Sequence, residues 1–245
     1  MKKLVLTTLL ASSALMVFAK TADAEEVGKD KTDVGIKFET DGPVKPGSGP
    51  FKDNLSLVFV PSSFDFGNQK AVANIATYNN TFKEAQYITV NDDRQGTTTG
   101  EGENAVTTTT AWKVTASMSD LVSTGDSATS LPSKLTFDLG DAQAYTIGTK
   151  IDQDTNDFIP NPIEENTSKL PEPNNIILGD GKTKSISLEA GKTTAVQILG
   201  KSKADAVKGG FVTKISNVKL NVTSGSNASG KTFKSSVNWS LDNTY

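Results

Sequence analysis

Short segments in which every second side chain is apolar recur along this chain, and they constrain its fold more strongly than any other feature. The segments are rich in β-branched and aromatic residues and are bounded by Gly, Pro, Asn, Asp or Ser. This pattern is typical of strands that bury one face against a core. About a dozen strands are predicted, at residues 34–38, 55–60, 64–66, 86–90, 111–118, 135–139, 175–178, 185–188, 193–199, 213–222 and 233–241.

The regions between the predicted strands hold few signs of helix. Only residues 119–123 and 203–207 suggest helical turns, and the sequence has no repeat of fixed period. We therefore expect an all-β fold, a single β-sandwich-like domain with long loops. We expect one loop at the Thr/Gly-rich stretch 96–110. A second is expected at the acidic, Pro-rich stretch 152–173, exposed and either disordered or used for a contact.

The N-terminal residues have the layout of a secretory signal peptide. Two lysines precede an apolar run at 4–18, and a small-x-small pattern places the cleavage between Ala24 and Glu25. No second apolar run follows, so we expect a secreted chain with no direct membrane span. The expected division is a signal peptide at 1–24, an N-terminal strand with a Pro/Gly linker (41–50) at 25–54, and a β domain at 55–245.

The composition excludes most catalytic chemistry. The chain contains no His and no Cys, so imidazole catalysis, thiolate nucleophiles and disulfides are ruled out. Pairs of carboxylates can hydrolyse glycosides, but no acidic residue lies in an aromatic-rich segment that would raise its pKa. A formal net charge of -3 and a single Arg argue against nucleic acid as a partner. We expect a protein that is not an enzyme and uses no cofactor.

One acidic segment has the beginning of a calcium-loop pattern. Asp152, Asp154 and Asn156 are spaced like the first ligands of such a loop. However, Asp157 stands where the loop needs Gly, and Ile163 stands where it needs Glu. We therefore expect no metal site here and interpret the segment as a solvated loop.

Both tryptophans of the chain lie in predicted strands, on the apolar face of each. Trp112 shares its face with Val114, and Trp239 shares its face with Leu241. Two compatible interpretations follow. The indoles pack in the core of the sandwich, or they stack on a ligand such as the apolar face of a sugar and offer the indole N–H as a polar handle.

These two tryptophan motifs carry a resemblance to the WxL surface domain family of Gram-positive bacteria. Residues 239–241 read Trp-Ser-Leu and match the W-x-L motif. Residues 112–114 read Trp-Lys-Val, in which Val replaces the usual Leu, a conservative change in volume. Residues 55–61 followed by Phe-Asp-Phe-Gly at 64–67 resemble the family's opening strand and F-G turn. Residues 93–96 (Asp-Arg-Gln-Gly) resemble its D-x-R-G stretch with one extra residue.

The resemblance implies non-covalent attachment to the cell wall, with peptidoglycan as the ligand and a location at the cell surface. It also implies other WxL proteins and a membrane-anchored companion as partners. The alternative hypothesis is a structural or adhesive subunit of a multi-protein surface complex, which binds protein partners rather than glycan. In that case the stretch 152–173 would be the natural contact.

Arg94 is the only Arg in the chain, and a guanidinium can hold a carboxylate through two parallel hydrogen bonds. That carboxylate is either part of a wall ligand or part of the protein: Asp92, Asp93 or a distant Asp. The predicted contact surface consists of Trp112, Val114, Trp239, Leu241, Arg94 and Asp93.

Overall fold

The computed structural model describes residues 26–35, 44–47 and 49–245. The regular secondary structure of the described chain consists of strands, apart from one turn of 3-10 helix at Gly102–Asn104. The predicted signal peptide and residues 36–38 of the first predicted strand lie outside the described residues. The strands are β1 Glu26–Gly35, β2 Val44–Pro46, β3 Leu55–Pro61, β4 Ser63–Phe64, β5 Ala76–Asn79, β6 Gln86–Asp92, β7 Thr97–Thr99, β8 Val106–Thr108, β9 Trp112–Met118, β10 Leu121–Ser123, β11 Ser130–Leu131, β12 Ser133–Leu139, β13 Gln143–Tyr145, β14 Thr167–Lys169, β15 Ile176–Leu178, β16 Ser185–Glu189, β17 Val196–Lys201, β18 Gly209–Val222 and β19 Phe233–Asp242.

Two large sheets pack face to face, which confirms the all-β, sandwich-like fold. The first sheet has the order β11-β10-β19-β9-β17-β15, and β1 also pairs with β19. The second sheet has the order β14-β13-β18-β6-β3-β2, and β12 and β5 also pair with β18. A separate hairpin joins β7 and β8. Nearly all neighbouring strands are antiparallel, as short connections between strands allow.

The main core lies between the sheets and follows the alternation of the sequence. In β9, buried positions alternate with partly exposed ones along all seven residues. The same alternation holds in β12 and in the inner part of β19. Burial of these apolar faces is the main stabilising term of such a sandwich, at roughly 25 cal/mol per Å² of apolar area. The predicted strand positions in these segments are therefore confirmed.

Strand β3 has a different pattern, because both of its faces are covered. All seven of its residues are buried, which explains the almost unbroken apolar run LSLVFVP. One face contributes to the main core. The other contributes to a second, smaller core on the outer side of the second sheet, formed by Phe51, Val58, Phe59, Tyr145, Ile147, Ile163 and Val212.

The long stretch after β13 covers this second core. Ile163 in it is 5% exposed, and the hydroxyl of Tyr145 donates a hydrogen bond to the carbonyl of Asn161 at 2.7 Å. Burial raises the pKa of Tyr145. The prediction of an exposed stretch at 152–173 is therefore wrong for its apolar residues, which pack down, and it also missed β14. The acidic tip at 152–156 is largely exposed, as expected.

Other local predictions differ from the structure because tertiary contacts decide the backbone. Residues 119–123 contain β10 rather than a helical turn, since this segment pairs with β11 and β19. Residues 203–207 form an irregular loop. The stretch 96–110 contains the β7–β8 hairpin, and the stretch 41–50 contains β2, which pairs with β3. Within the described residues, no helix is long and apolar enough to cross a membrane.

Asp157 anchors the long stretch, and its removal provides the first prediction. Its carboxylate accepts hydrogen bonds from the backbone amides of Phe51, at 2.8 and 2.9 Å, and of Lys52, at 2.8 Å. Charge-assisted bonds of this kind contribute about 1.5–3 kcal/mol. We expect Asp157→Ala to lower the thermal unfolding temperature and to speed proteolytic cleavage near residues 150–165. The exposed Asp154→Ala is the matched control, and equal behaviour of the two variants would contradict the anchoring role.

Candidate functional site

The two tryptophan strands lie side by side in the first sheet. β9 and β19 pair in antiparallel register, which places Trp239 opposite Ala116 and Leu241 opposite Val114. A large side chain thus stands beside a small one in the first pair, so the indole has room without forcing the strands apart. Segments more than a hundred residues apart in the sequence are joined by this pairing.

Both indoles point into the sandwich and contact aromatic rings of the second sheet. The ring of Trp112 lies 5.4 Å from Phe211 of β18, and the ring of Trp239 lies 6.4 Å from Phe137 of β12, measured between ring centroids. These separations are typical of favourable aromatic pairs. The ring of Phe64 also stacks on that of Phe137, with 6.3 Å between the ring centroids. The tryptophans therefore link the two sheets.

Four of the six residues of the predicted contact surface are fully enclosed. Trp112, Val114, Trp239 and Leu241 are each 0% exposed. The indole N–H of Trp112 is buried without a hydrogen-bond partner in the described chain, so it offers no handle at the surface. The geometry favours the core interpretation for these side chains. Their contact with a ligand stays a prediction, and it would require the sheets to separate.

Arg94 holds a carboxylate of the protein itself. Its Nε and Nη2 atoms donate to the two carboxylate oxygens of Asp92 at 2.7 and 2.9 Å. The guanidinium also donates to the hydroxyl and the carbonyl of Thr110, at 2.7 and 2.8 Å. Of the alternatives left open by the sequence, the structure therefore selects Asp92. The carboxylate of Asp93 instead accepts a hydrogen bond from the amide of Asp53 at 2.7 Å.

Asp92 belongs to a buried charge network that sequence reasoning missed. The hydroxyl of Thr109 donates to Asp92 at 2.8 Å and accepts from the ammonium of Lys201 at 2.7 Å. Lys201 is 0% exposed, pairs with Asp205 at 2.8 Å, and also donates to the carbonyl of Val207. We refer to Asp92, Arg94, Thr109, Lys201 and Asp205 as the buried charge network.

The buried charge network closes one end of the sandwich. Lys201 stands opposite Trp112 in the pairing of β17 with β9, and Asp205 also accepts hydrogen bonds from the amide and side chain of Asn175. The ionised groups are thus tied to one another and to backbone, which holds the loops at this end in place. Such an arrangement is suited to structural closure rather than to capture of a ligand.

The end of the sandwich opposite the buried charge network contains a cavity. Strand β18 runs from one end to the other: Gly209 lies at the end with the network, and Val222 lies roughly 40 Å away, at about 3.3 Å per residue. There the structure has a cavity of about 180 Å³, which we call the end slot. The end slot is lined by Phe66, Gly67, Asn68, Gln69, Lys70, Ala71, Tyr78, Leu121, Leu131, Leu220, Val222, Ala228, Lys231, Thr232 and Phe233.

The end slot has an apolar floor and a basic rim. Its floor is the end of the main core, and among the described residues none of its lining side chains is acidic. Lys231 donates to the hydroxyl of Thr129 at 2.8 Å and lies 3.7 Å from a carboxylate oxygen of Asp126. Hydrogen bonds from the Thr129 hydroxyl and the Ala128 amide, together with the charge of Lys231, lower the pKa of Asp126. Sequence reasoning did not find this slot, although the F-G turn at 66–67 contributes to it.

A broad depression of about 640 Å³ lies between the edge of the first sheet at β15 and the edge of the second sheet at β13 and β14. It is bordered by β15, whose backbone pairs with β17 alone within the described chain. Its charged lining side chains have both signs: Asp141, Lys169, Glu172, Lys182 and Lys184. Within the described residues, no group of three or more acidic side chains could hold a metal ion.

Comparison with known proteins identifies one family. The family model described as "WxL domain surface cell wall-binding" matches residues 25–244, which is nearly the whole chain. No curated protein and no solved structure matches the chain. The match includes both tryptophan strands, the buried charge network and the end slot.

Shortening Trp239 provides a prediction for the tryptophan strands. Because the indole is fully buried against Phe137, we expect Trp239→Ala to lose about 3–5 kcal/mol of the free energy of unfolding. Trp239→Phe should lose less, since it keeps most of the ring contacts. Chemical denaturation monitored by circular dichroism measures both. A midpoint unchanged in Trp239→Ala would contradict the core role.

Removing the buried ammonium tests the charge network. We expect Lys201→Met to destabilise the fold by about 3–5 kcal/mol, because Asp205 and the Val207 carbonyl lose their donor in a buried setting. Lys203, two residues on, is exposed, so Lys203→Met is the matched control. Equal unfolding midpoints for the two variants would show that the network contributes nothing.

Proposed function

Because the chain belongs to the WxL family of surface cell wall-binding domains, we propose that it is retained at the Gram-positive envelope by non-covalent binding to peptidoglycan. The observation that carries this proposal is the extent of the match, residues 25–244. Wall binding is a property of this family, and the match includes all of the sandwich rather than an appended segment. The proposed role is that of a binding module and not of an enzyme.

The proposal includes export across the membrane. We propose that residues 1–24 are removed as a signal peptide and that the mature chain is secreted and then held at the cell surface. β1 pairs along β19 from Glu26, the second residue of the proposed mature chain. Release from the signal peptide would therefore free the strand that pairs with the second tryptophan strand.

The predicted contact surface has two roles in this proposal. Trp112, Val114, Trp239 and Leu241 support the sandwich from inside. Arg94 fixes the loops at the network end. Direct contact with the wall is assigned to exposed groups outside this buried set, because glycan recognition needs a concave, reachable site with a few polar groups.

The alternative function is a structural or adhesive subunit that binds protein partners, among them other WxL proteins and a membrane-anchored companion. The depression beside β15 favours this candidate. Within the described chain β15 has no strand on its outer side, where the Ile176 amide donates to the Asn174 side chain and the Leu178 carbonyl accepts from Gly181. A partner strand could add to this edge by replacing these local hydrogen bonds. The mixed charges around the depression suit a polar protein surface.

Sedimentation with purified walls tests the proposed function. We expect the mature protein to co-sediment with peptidoglycan stripped of proteins and teichoic acids, and to be displaced by soluble wall fragments. An unrelated exported β protein of similar net charge is the control. Recovery no higher than that of the control would overturn the proposal. Co-purification with one exported protein, without binding to bare walls, would instead support the alternative.

A further inference from the structure

We infer that the end slot is a subsite for one N-acetylated hexosamine of the wall glycan that bears a nearby carboxylate. In this arrangement the acetamido methyl group and one face of the sugar ring lie on the apolar floor, and the carboxylate lies at Lys70. The inference rests on the proposed function and names the part of the ligand that this fold would recognise.

The size and the floor of the slot fit one small ring with an apolar substituent. The cavity measures about 180 Å³, which is small for a site that encloses a drug-sized ligand. Its floor is formed by Leu121, Leu131, Leu220 and Val222, each at most 8% exposed. A methyl group placed there would be transferred from water to the apolar floor, and this transfer favours an acetylated amino sugar over the free amine.

Aromatic side chains form the sides of the slot. Phe66 is buried, whereas Tyr78 and Phe233 are both half-buried and keep part of their rings open to a bound sugar. The C–H face of a pyranose is apolar and packs well on an aromatic ring. The Tyr78 hydroxyl donates to the carbonyl of Lys70, which holds this wall and the rim together.

The charge of the rim favours an anionic ligand. Lys231 already interacts with Asp126 and Thr129. The ion pairs of the described chain do not include Lys70, so its ammonium is available to a ligand. No acidic side chain lines the slot within the described residues, and Asp126 beside the rim is paired with Lys231, so the positive charge left for a ligand carboxylate is that of Lys70.

The loop that carries Lys70 is seated against a neighbouring turn. A Cβ atom added to Gly225 would lie 2.6 Å from the carbonyl oxygen of Val72, so the two segments approach too closely for a larger residue. The turn that follows Gly225 supplies Ala228 and Lys231 to the slot. This close approach packs the turn that carries Lys231 against the loop that carries Lys70, on the two sides of the slot.

The test uses the mature protein and two soluble probes. The first probe is MurNAc-L-Ala-D-Glu, which combines the acetamido group with carboxylates, and the second is N,N′-diacetylchitobiose, which has no carboxylate. Binding is measured by ¹⁵N chemical-shift titration. We expect both probes to shift amides at 66–71 and 228–233, the muramyl peptide to bind more tightly, and free glucosamine to shift neither segment.

Two variants with matched controls localise the binding. Ala71→Trp fills the slot and should weaken both probes about tenfold or more, whereas Ala73→Trp lies in the same loop outside the lining and should not. Lys70→Gln should weaken the muramyl peptide about two- to five-fold, as expected for an exposed ion pair, and leave chitobiose unchanged. Lys83→Gln is its charge-matched control. Thermal unfolding of each variant verifies the fold.

The outcomes separate this inference from the proposed function. If wild type and Ala71→Trp co-sediment equally with bare walls, the slot is not the subsite, although wall binding stands. Absence of shifts in the slot with either probe also overturns the inference, as does a preference for glycerol-phosphate oligomers over both sugars. If wild type fails to co-sediment, the proposed function itself fails.

Discussion

The antiparallel pairing of β9 with β19 is the constraint on which the rest of the structure depends. It brings two distant segments together and directs both indoles against the second sheet, onto Phe211 and Phe137. The W-x-L spacing has a simple physical meaning in a strand, since positions i and i+2 share a face. Trp239 and Leu241 both point inward, and Val114 stands opposite Leu241. The two tryptophan motifs therefore mark side chains that point into the core.

The two ends of the sandwich are closed by different interactions. At one end, ionised side chains are buried, and their desolvation is offset by mutual hydrogen bonds among Asp92, Arg94, Thr109, Lys201 and Asp205. At the other end, the core reaches the surface and is covered only by a loop and a turn, which leaves the end slot open. Because ionised side chains close the first end and the second end has an open cavity, the second end is the one that can admit a ligand.

The sequence predicted the parts of the fold that depend on local alternation. The structure confirms the strands around Trp112 and Trp239 and their inward faces. These could be predicted because the alternation of apolar and polar residues is a local property of the sequence. The turns at 119–123 and 203–207 were predicted wrongly as helical. The first is a strand because it pairs with β11 and β19, and in the second the carbonyls of Asp205 and Val207 bind Lys201. Local propensity contains no information about such partners.

The candidate sites were less predictable, for the same physical reason. Lys201 is a buried charge in a strand, although lysine is almost always exposed, and its ion pair with Asp205 and hydrogen bonds to Thr109 and the Val207 carbonyl make that burial tolerable. The bidentate hold of Arg94 on a nearby carboxylate was among the predicted alternatives, because the guanidinium geometry allows it. The end slot is lined by several segments that are distant in the sequence, so no motif marks it.

We propose that the tryptophan strands build the sandwich while its open end contacts the wall. Hydrogen exchange followed by mass spectrometry, with and without a muramidase digest of peptidoglycan, tests this claim most directly. We expect slower exchange on ligand addition in peptides that contain residues 66–71 and 228–233, with β9 and β19 unchanged because their amides are already protected in the sheet. Protection confined to β9 and β19, or to the loops around Arg94, would contradict it.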